Sequence, residues 1–135
     1  MSEIRFHLKG QIPSGKNAII ITRSGQRFPT ARFKKWREDA MKQMMAIGNL
    51  KVPADWNPVV DIIYTPGDRR RRDVPGMVDA LWHVMEKFGL VDDDARLRNV
   101  RWMTTEVMRE TPGVSVWITD LRAEAPSASQ PAASA

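Results

Sequence analysis

The spacing of the apolar residues changes along the chain, and this change limits the folds that are open to it. Near the N-terminus, Ile4, Phe6 and Leu8 alternate with polar residues, a period of two that predicts a half-buried strand. From Phe33 onward the apolar residues recur every three or four positions, which predicts a helix with one buried face. A chain that combines both periods is expected to form an α/β or α+β domain.

Two helices are predicted, each with terminal residues of the usual kinds. Thr30 is placed to cap the first helix, which ends at about Ile47 before a glycine. Asp73 is placed to cap the second, Pro75 lies in its first turn, and Gly89 ends it. The apolar face of the first helix is expected to contain Phe33, Trp36, Ala40, Met44 and Ile47.

Strands are predicted around these helices. Residues 18–22 and 59–65 are rich in β-branched residues, and Ser24-Gly25 supplies a turn after the first of these segments. Residues 97–107 and the alternating segment 114–118 are predicted to pair as a hairpin. The expected order is two strands, a helix, a strand, a helix and two strands. This order predicts a single domain with a mixed sheet over residues 1–122, followed by a disordered tail at 123–135 that lacks large apolar residues.

Composition excludes several kinds of site. The chain has no cysteine and only two histidines, His7 and His83, so thiolate metal sites and sites built on several histidines are ruled out. A bound metal would need oxygen ligands, which favours Mg²⁺ or Mn²⁺. The formal net charge of +5 suggests a polyanionic partner. The chain shows no apolar run of signal-peptide or membrane-spanning length, so a cytoplasmic protein without a membrane partner is expected.

The segment from Asp68 to Asp79 (DRRRRDVPGMVD), together with residues 91–96 (VDDDAR), carries the strongest chemical signal. Carboxylates held near each other bind a divalent cation, and adjacent arginines hold phosphates, so the combination is typical of a nuclease. A helix of about fifteen residues spans roughly 22 Å, so the two acidic groups can meet only if the chain folds back along the helix after Gly89.

Each of these residues also has a purely structural interpretation. Asp73 is a suitable N-cap, Asp79 fits an exposed helix position, and the aspartate triplet fits a polar turn. The arginine run fits a solvated surface. The basic face of the first helix likewise fits either solvation or contact with phosphates, and it contains Arg32, Lys34, Lys35, Arg37 and Lys42.

The DRRRRD segment, the helix and the DDAR segment together resemble the RusA-type Holliday junction resolvases. The opening of the chain, with Pro13-Ser14, Asn17 and later Trp36 in a basic helix, resembles that family too. The similarity extends over about residues 4 to 120. It implies a RusA-like nuclease domain and a homodimer that binds four-way DNA junctions and makes paired nicks with Mg²⁺, with Mn²⁺ as an alternative ion.

The resemblance assigns roles to individual residues. It implies that Asp73, Asp79 and Asp94 are catalytic, and that these three residues and Asp93 bind the metal. Contact with DNA phosphates is expected from Lys16, Arg69, Arg70, Arg71 and Arg72.

One position departs from the family pattern. The family carries a second carboxylate at the position of Pro75, which cannot bind a metal, and Asp79 is the residue expected to supply the missing carboxylate. Because of Pro75, a DNA-binding protein of the same fold that has lost cleavage stays open as an alternative to a junction resolvase. Two further alternatives are a nuclease for forks or flaps, and a small interaction protein whose basic face serves only solubility.

Overall fold

The computed structural model describes residues 3–13, 19–21, 23–48 and 50–121. Within these ranges it contains six strands, two helices and a 3₁₀ turn at Asp94–Arg96. In chain order, the helices and strands are β1 (Glu3–Lys9), β2 (Ile19–Ile21), β3 (Arg27–Pro29), α1 (Ala31–Ile47), β4 (Pro58–Thr65), α2 (Val74–Phe88), β5 (Asn99–Thr104) and β6 (Gly113–Asp120). The α+β class and the mixed sheet predicted from the sequence are confirmed.

The main sheet has four strands in the order β1-β6-β4-β5, and β2 and β3 form a separate two-stranded sheet. Strand β6 runs antiparallel to both β1 and β4, whereas β5 runs parallel to β4. The predicted hairpin between β5 and β6 is therefore wrong, because β4 lies between them. Burial explains the arrangement: β6 is largely buried and occupies the centre, while the mostly exposed β5 lies at an edge, where a strand has one partner.

The core forms between the inner face of the sheet and the two helices. The predicted alternation of β1 is confirmed, because Ile4, Phe6 and Leu8 are buried while their neighbours are exposed. These side chains belong to one cluster with residues from α1, α2, β4 and β6. One contiguous core therefore holds the described part of the chain together.

Helix α1 begins as predicted. The backbone N–H of Phe33 donates to the hydroxyl of Thr30 at 3.1 Å, and Gly48 closes the helix with φ at +126°. The buried residues are Trp36, Ala40 and Met44, and Phe33 packs against them. Ile47 does not join this face, since it is 45% exposed in the last turn, where the helix extends past the sheet-facing core.

Helix α2 connects β4 to β5, so that β4, α2 and β5 form a crossover between parallel strands. Asp73 occupies the N-cap position, but its side chain makes no capping hydrogen bond, and Pro75 lies in the first turn. Gly89 ends the helix in the left-handed conformation that glycine favours, with φ at +90°. The segment that follows β4 therefore lies at the N-terminal end of α2, and the segment that precedes β5 lies at its C-terminal end.

Two predictions concern residues outside the described ranges. Lys16 and the tail at 123–135 both lie there. Of the described residues, neither helix combines the length and the apolar content that a bilayer-crossing segment requires.

Two adjacent methionines of α1 test this account of the core. Met44 is fully buried and Met45 is 68% exposed. We expect Met44→Ala to lower the free energy of unfolding by about 2–5 kcal/mol, because it removes buried apolar surface and leaves a cavity. The matched change Met45→Ala should alter it by about 0.5 kcal/mol or less. Urea denaturation measures both, and equal losses would contradict the assigned helix face.

Candidate functional site

The arginine loop, residues 68–73, follows β4 and leads into α2. Its base is fixed by Gln11, two residues after the end of β1, whose side-chain oxygen accepts from the backbone N–H of Gly67 at 2.8 Å. The amide group of Gln11 also donates to the hydroxyl of Tyr64. A side chain at Gly67 would crowd Pro112, since a Cβ there would lie 3.0 Å from it. The loop therefore starts from a defined position beside the sheet.

Within the loop, Asp68 is the centre of the local hydrogen bonds. Its carboxylate accepts from the guanidinium of Arg72 at 2.6 and 3.1 Å, and from the backbone N–H of Arg70 at 3.0 Å. The side-chain bond with Arg72 lowers the pKa of Asp68 to about 2, and the same bond raises the pKa of Arg72. Any stability from this pair is present above the ordinary pKa of an aspartate and is lost only as the pH falls towards about 2.

The four arginines are therefore not equivalent. The side chain of Arg72 is 11% exposed and is held by Asp68, whereas Arg69, Arg70 and Arg71 are exposed. Arg72 stabilises the loop, and the other three are free to meet a ligand. The sequence, which shows four identical residues, gives no sign of this division.

The acidic cluster, which we define as Glu86, Asp93 and Asp94, lies at the far end of α2. A carboxylate oxygen from each of the three lies within 4.8 Å of the others. The backbone N–H of Asp94 donates to a carboxylate oxygen of Glu86 at 3.1 Å, which brings the loop back to the helix. Three carboxylates at this separation, largely exposed to water, form a donor set that fits a hard divalent cation.

The loop that carries Asp93 and Asp94 is anchored on both sides. Arg96 donates to the backbone oxygen of Pro53 at 2.8 Å, and the indole N–H of Trp82 donates to the backbone oxygen of Leu97 at 3.2 Å. Arg96 also pairs with Asp92 at 3.2 Å, and their side-chain hydrogen bond lowers the pKa of Asp92. These contacts hold the cluster at the C-terminal end of α2.

The structure brings together only some of the predicted metal ligands. Asp93 and Asp94 meet each other, but among the described residues neither Asp73 nor Asp79 belongs to a group of three acidic or histidine side chains with this spacing. Glu86 lies thirteen positions after Asp73, which corresponds to about 20 Å along the helix axis. Asp79 lies two turns before Glu86, about 10 Å along the same helix face.

Glu86 was missed by the sequence reasoning, although the spacing contained a signal. Asp79, His83 and Glu86 stand at positions i, i+4 and i+7, which places three polar side chains on one face of α2. This spacing indicates that Glu86 belongs with the polar residues of α2.

His83 links this face of α2 to α1. Its Nε2 atom lies 3.3 Å from a guanidinium nitrogen of Arg37, and its ring packs edge-on against Phe33. An arginine can only donate, so Nε2 is the acceptor in this hydrogen bond. Burial lowers the pKa of His83, and the positive charges of Arg37 and Lys87 lower it further. The histidine thus links the two helices beside the acidic cluster, and the negative charges of Glu86 and Asp94 partly offset this lowering of its pKa.

Comparison with known proteins adds to this geometry. No family model matches the chain. The chain is similar to the crossover junction endodeoxyribonuclease RusA of Aquifex aeolicus (strain VF5), with 32% identity over 95 residues. The matched region covers 70% of this chain and 74% of that relative. With identity at this level over most of both proteins, the chain belongs to the RusA family of crossover junction endodeoxyribonucleases.

Proposed function

We propose that this protein is a divalent-metal-dependent endonuclease that resolves four-way DNA junctions by paired nicks in recombination and repair. The observation that carries the proposal is the similarity to the Aquifex aeolicus enzyme over most of its length. The acidic cluster and the exposed arginines support it, because metal-assisted phosphodiester hydrolysis uses a cation site together with contacts to a polyanionic backbone.

In this proposal the two ends of α2 have different tasks. Glu86, Asp93 and Asp94 would hold Mg²⁺ or Mn²⁺, which when bound polarises the phosphodiester and activates a water molecule. The exposed arginines of the arginine loop bind and orient the DNA backbone through charge-assisted hydrogen bonds. The pair of Asp68 and Arg72 keeps these arginines in position.

We further propose that the protein acts as a homodimer in the cytoplasm. A four-way junction offers two equivalent strands for cleavage, and a dimer with two-fold symmetry would present one site to each. Each protomer would then contact the DNA backbone through Arg69, Arg70, Arg71 and Lys16.

A second candidate is a DNA-binding protein of the same fold with impaired cleavage. Two observations favour it: Pro75 occupies the position of a family carboxylate, and Asp73 lies about 20 Å along α2 from Glu86. A preference for forks or flaps over four-way junctions is a further alternative. Nicking assays on junctions, forks and flaps, with Mg²⁺ or with EDTA, separate all three.

Asp94 gives the most direct test of the metal site. We expect Asp94→Asn to abolish Mg²⁺-dependent nicking and to leave junction affinity near that of the wild type, because the amide keeps the size of the side chain but loses its charge. Asp39→Asn, an exposed change on α1, is the control and should cleave normally. Nicking by Asp94→Asn at the wild-type rate would remove Asp94 from the site.

Substitution of the other candidate acidic residues tests where along α2 the metal binds. The family resemblance predicts that Asp79→Ala loses cleavage about as severely as Asp73→Ala. The structure predicts that Glu86→Gln weakens the cation site, so that cleavage needs more Mg²⁺. A Mg²⁺ titration of nicking by all three variants decides between the ends of the helix. Normal cleavage by Asp73→Ala and Asp79→Ala would restrict the site to the acidic cluster, and normal cleavage by Glu86→Gln would exclude that residue.

The arginine loop is tested through the salt dependence of binding. Replacing Arg70 and Arg71 with Ala should weaken junction binding and reduce the slope of log affinity against log salt by about one for each lost phosphate contact. The control is Arg5→Ala on the exposed face of β1. A loss of affinity with an unchanged slope would mean that these arginines act through folding rather than on phosphates.

A further inference from the structure

A cleft beside the arginine loop is built from three separate parts of the chain. It has a volume of about 360 Å³ and lies between the end of β1, the first turn of α1 and the loop itself. Its lining residues are Gln11, Ile12, Pro13, Arg32, Asp68, Arg70, Arg71 and Arg72. Arg32 is the contribution of α1, and it is separated from the loop by more than thirty residues of sequence.

The charge in this cleft is strongly one-sided. Four guanidinium groups and one carboxylate line it, and that carboxylate, on Asp68, is already paired with Arg72. Within the described ranges, no acidic side chain lies within 4.0 Å of the charged groups of Arg32, Arg70 or Arg71. Three like charges that line one cleft, with no salt bridge of their own and with Asp68 as the one carboxylate of the lining, repel one another, and an anion in the cleft relieves that repulsion.

The floor of the cleft contributes few groups that compete for a ligand. The side-chain oxygen of Gln11 is occupied by Gly67, and its amide is occupied by Tyr64 and by the backbone oxygen of Ile12. Ile12 is fully buried and Pro13 is buried as well. The groups left to meet a ligand are therefore the hydrogen-bond donors of the arginines, held above an apolar floor.

These properties select the class of ligand. A phosphodiester group carries a negative charge and only acceptor oxygens, and guanidinium forks bind such oxygens in pairs. A nucleobase presents donors as well as acceptors, which a cleft of arginine donors would match less well.

We propose that this cleft binds one phosphodiester group of the DNA backbone, with Arg32 of α1 closing it opposite Arg70 and Arg71. The proposal rests on the DNA-directed function above and adds to it a contact outside the arginine loop. It also gives one part of the basic surface of α1 a specific task.

Substitution of Arg32 tests the proposal against a matched control on the same helix. Lys34→Ala removes one positive charge at a position about 200° further round α1, away from the cleft. We expect Arg32→Ala to reduce the salt slope of junction binding by about one, and Lys34→Ala to leave it unchanged. Arg32→Lys should keep the slope and lose affinity, because the charge remains and the fork is lost. Fluorescence anisotropy with two four-way junctions of unrelated sequence provides the measurement.

A double-mutant cycle between Arg32→Ala and Arg70→Ala adds a second readout. If both arginines hold the same phosphate, removing both should weaken binding by less than the product of the two separate effects. Thermal melts check folding. Because Arg32 is exposed, Arg32→Ala should leave the melting temperature unchanged.

The outcomes separate the cleft from the function on which it rests. Failure of the wild-type protein to bind either junction would overturn the DNA-directed function and the cleft proposal with it. Wild-type binding with equal slopes for Arg32→Ala and Lys34→Ala would overturn the cleft alone. If Arg32→Ala lost affinity for only one of the two junction sequences, Arg32 would contact a base, and the phosphate-binding cleft would also be overturned. Equal losses on both sequences support the phosphate contact.

Discussion

The parallel pairing of β4 with β5 determines where the chemistry of this protein can lie. Parallel neighbours require a crossover, and here the crossover contains α2, whose 15 residues run between the arginine loop and the acidic cluster. The positive and negative residues that the sequence places on either side of one helix are thus held apart by its length. Within one protomer, a cation bound by Glu86, Asp93 and Asp94 would lie about 20 Å from Asp73 along the helix axis.

The arginine loop shows how one ion pair gives identical residues different roles. Asp68 takes Arg72 out of the set of exposed arginines and at the same time binds the backbone of Arg70. Gln11 and Pro112 fix the base of the loop against the sheet. The positive charge that reaches solvent is therefore carried by fewer residues than the sequence suggests, but those residues start from a well-defined backbone.

Local patterns predicted the fold well where a single element determines burial. The alternation in β1, the Thr30 cap of α1 and the glycine that ends α2 are confirmed, since each depends on neighbours in sequence. The predicted pairing of β5 with β6 was wrong. Strand order depends on which strands have a hydrogen-bonded neighbour on both sides, and no local sequence pattern reports this.

The candidate site was predictable only in part, for a similar reason. The sequence identified Asp93 and Asp94, but Glu86 reaches them through a hydrogen bond across the turn after α2, a contact between segments that spacing alone does not reveal. The division among the arginines depends on the partner of one side chain. The roles of Asp73 and Asp79 remain predictions.

The fixed length of α2 also has a consequence for the shape of the substrate. The loop that would bind the backbone and the carboxylates that would hold the cation lie about 20 Å apart along the helix axis. Each strand of duplex DNA carries a phosphate every 3.4 Å or so along its axis, so this span matches about six base-pair steps. On the proposed function, a hydroxyl-radical footprint should show protected sugars on one duplex arm about six base-pair steps from the nick. The length of α2 would then set the distance between the backbone contact and the cleaved phosphodiester.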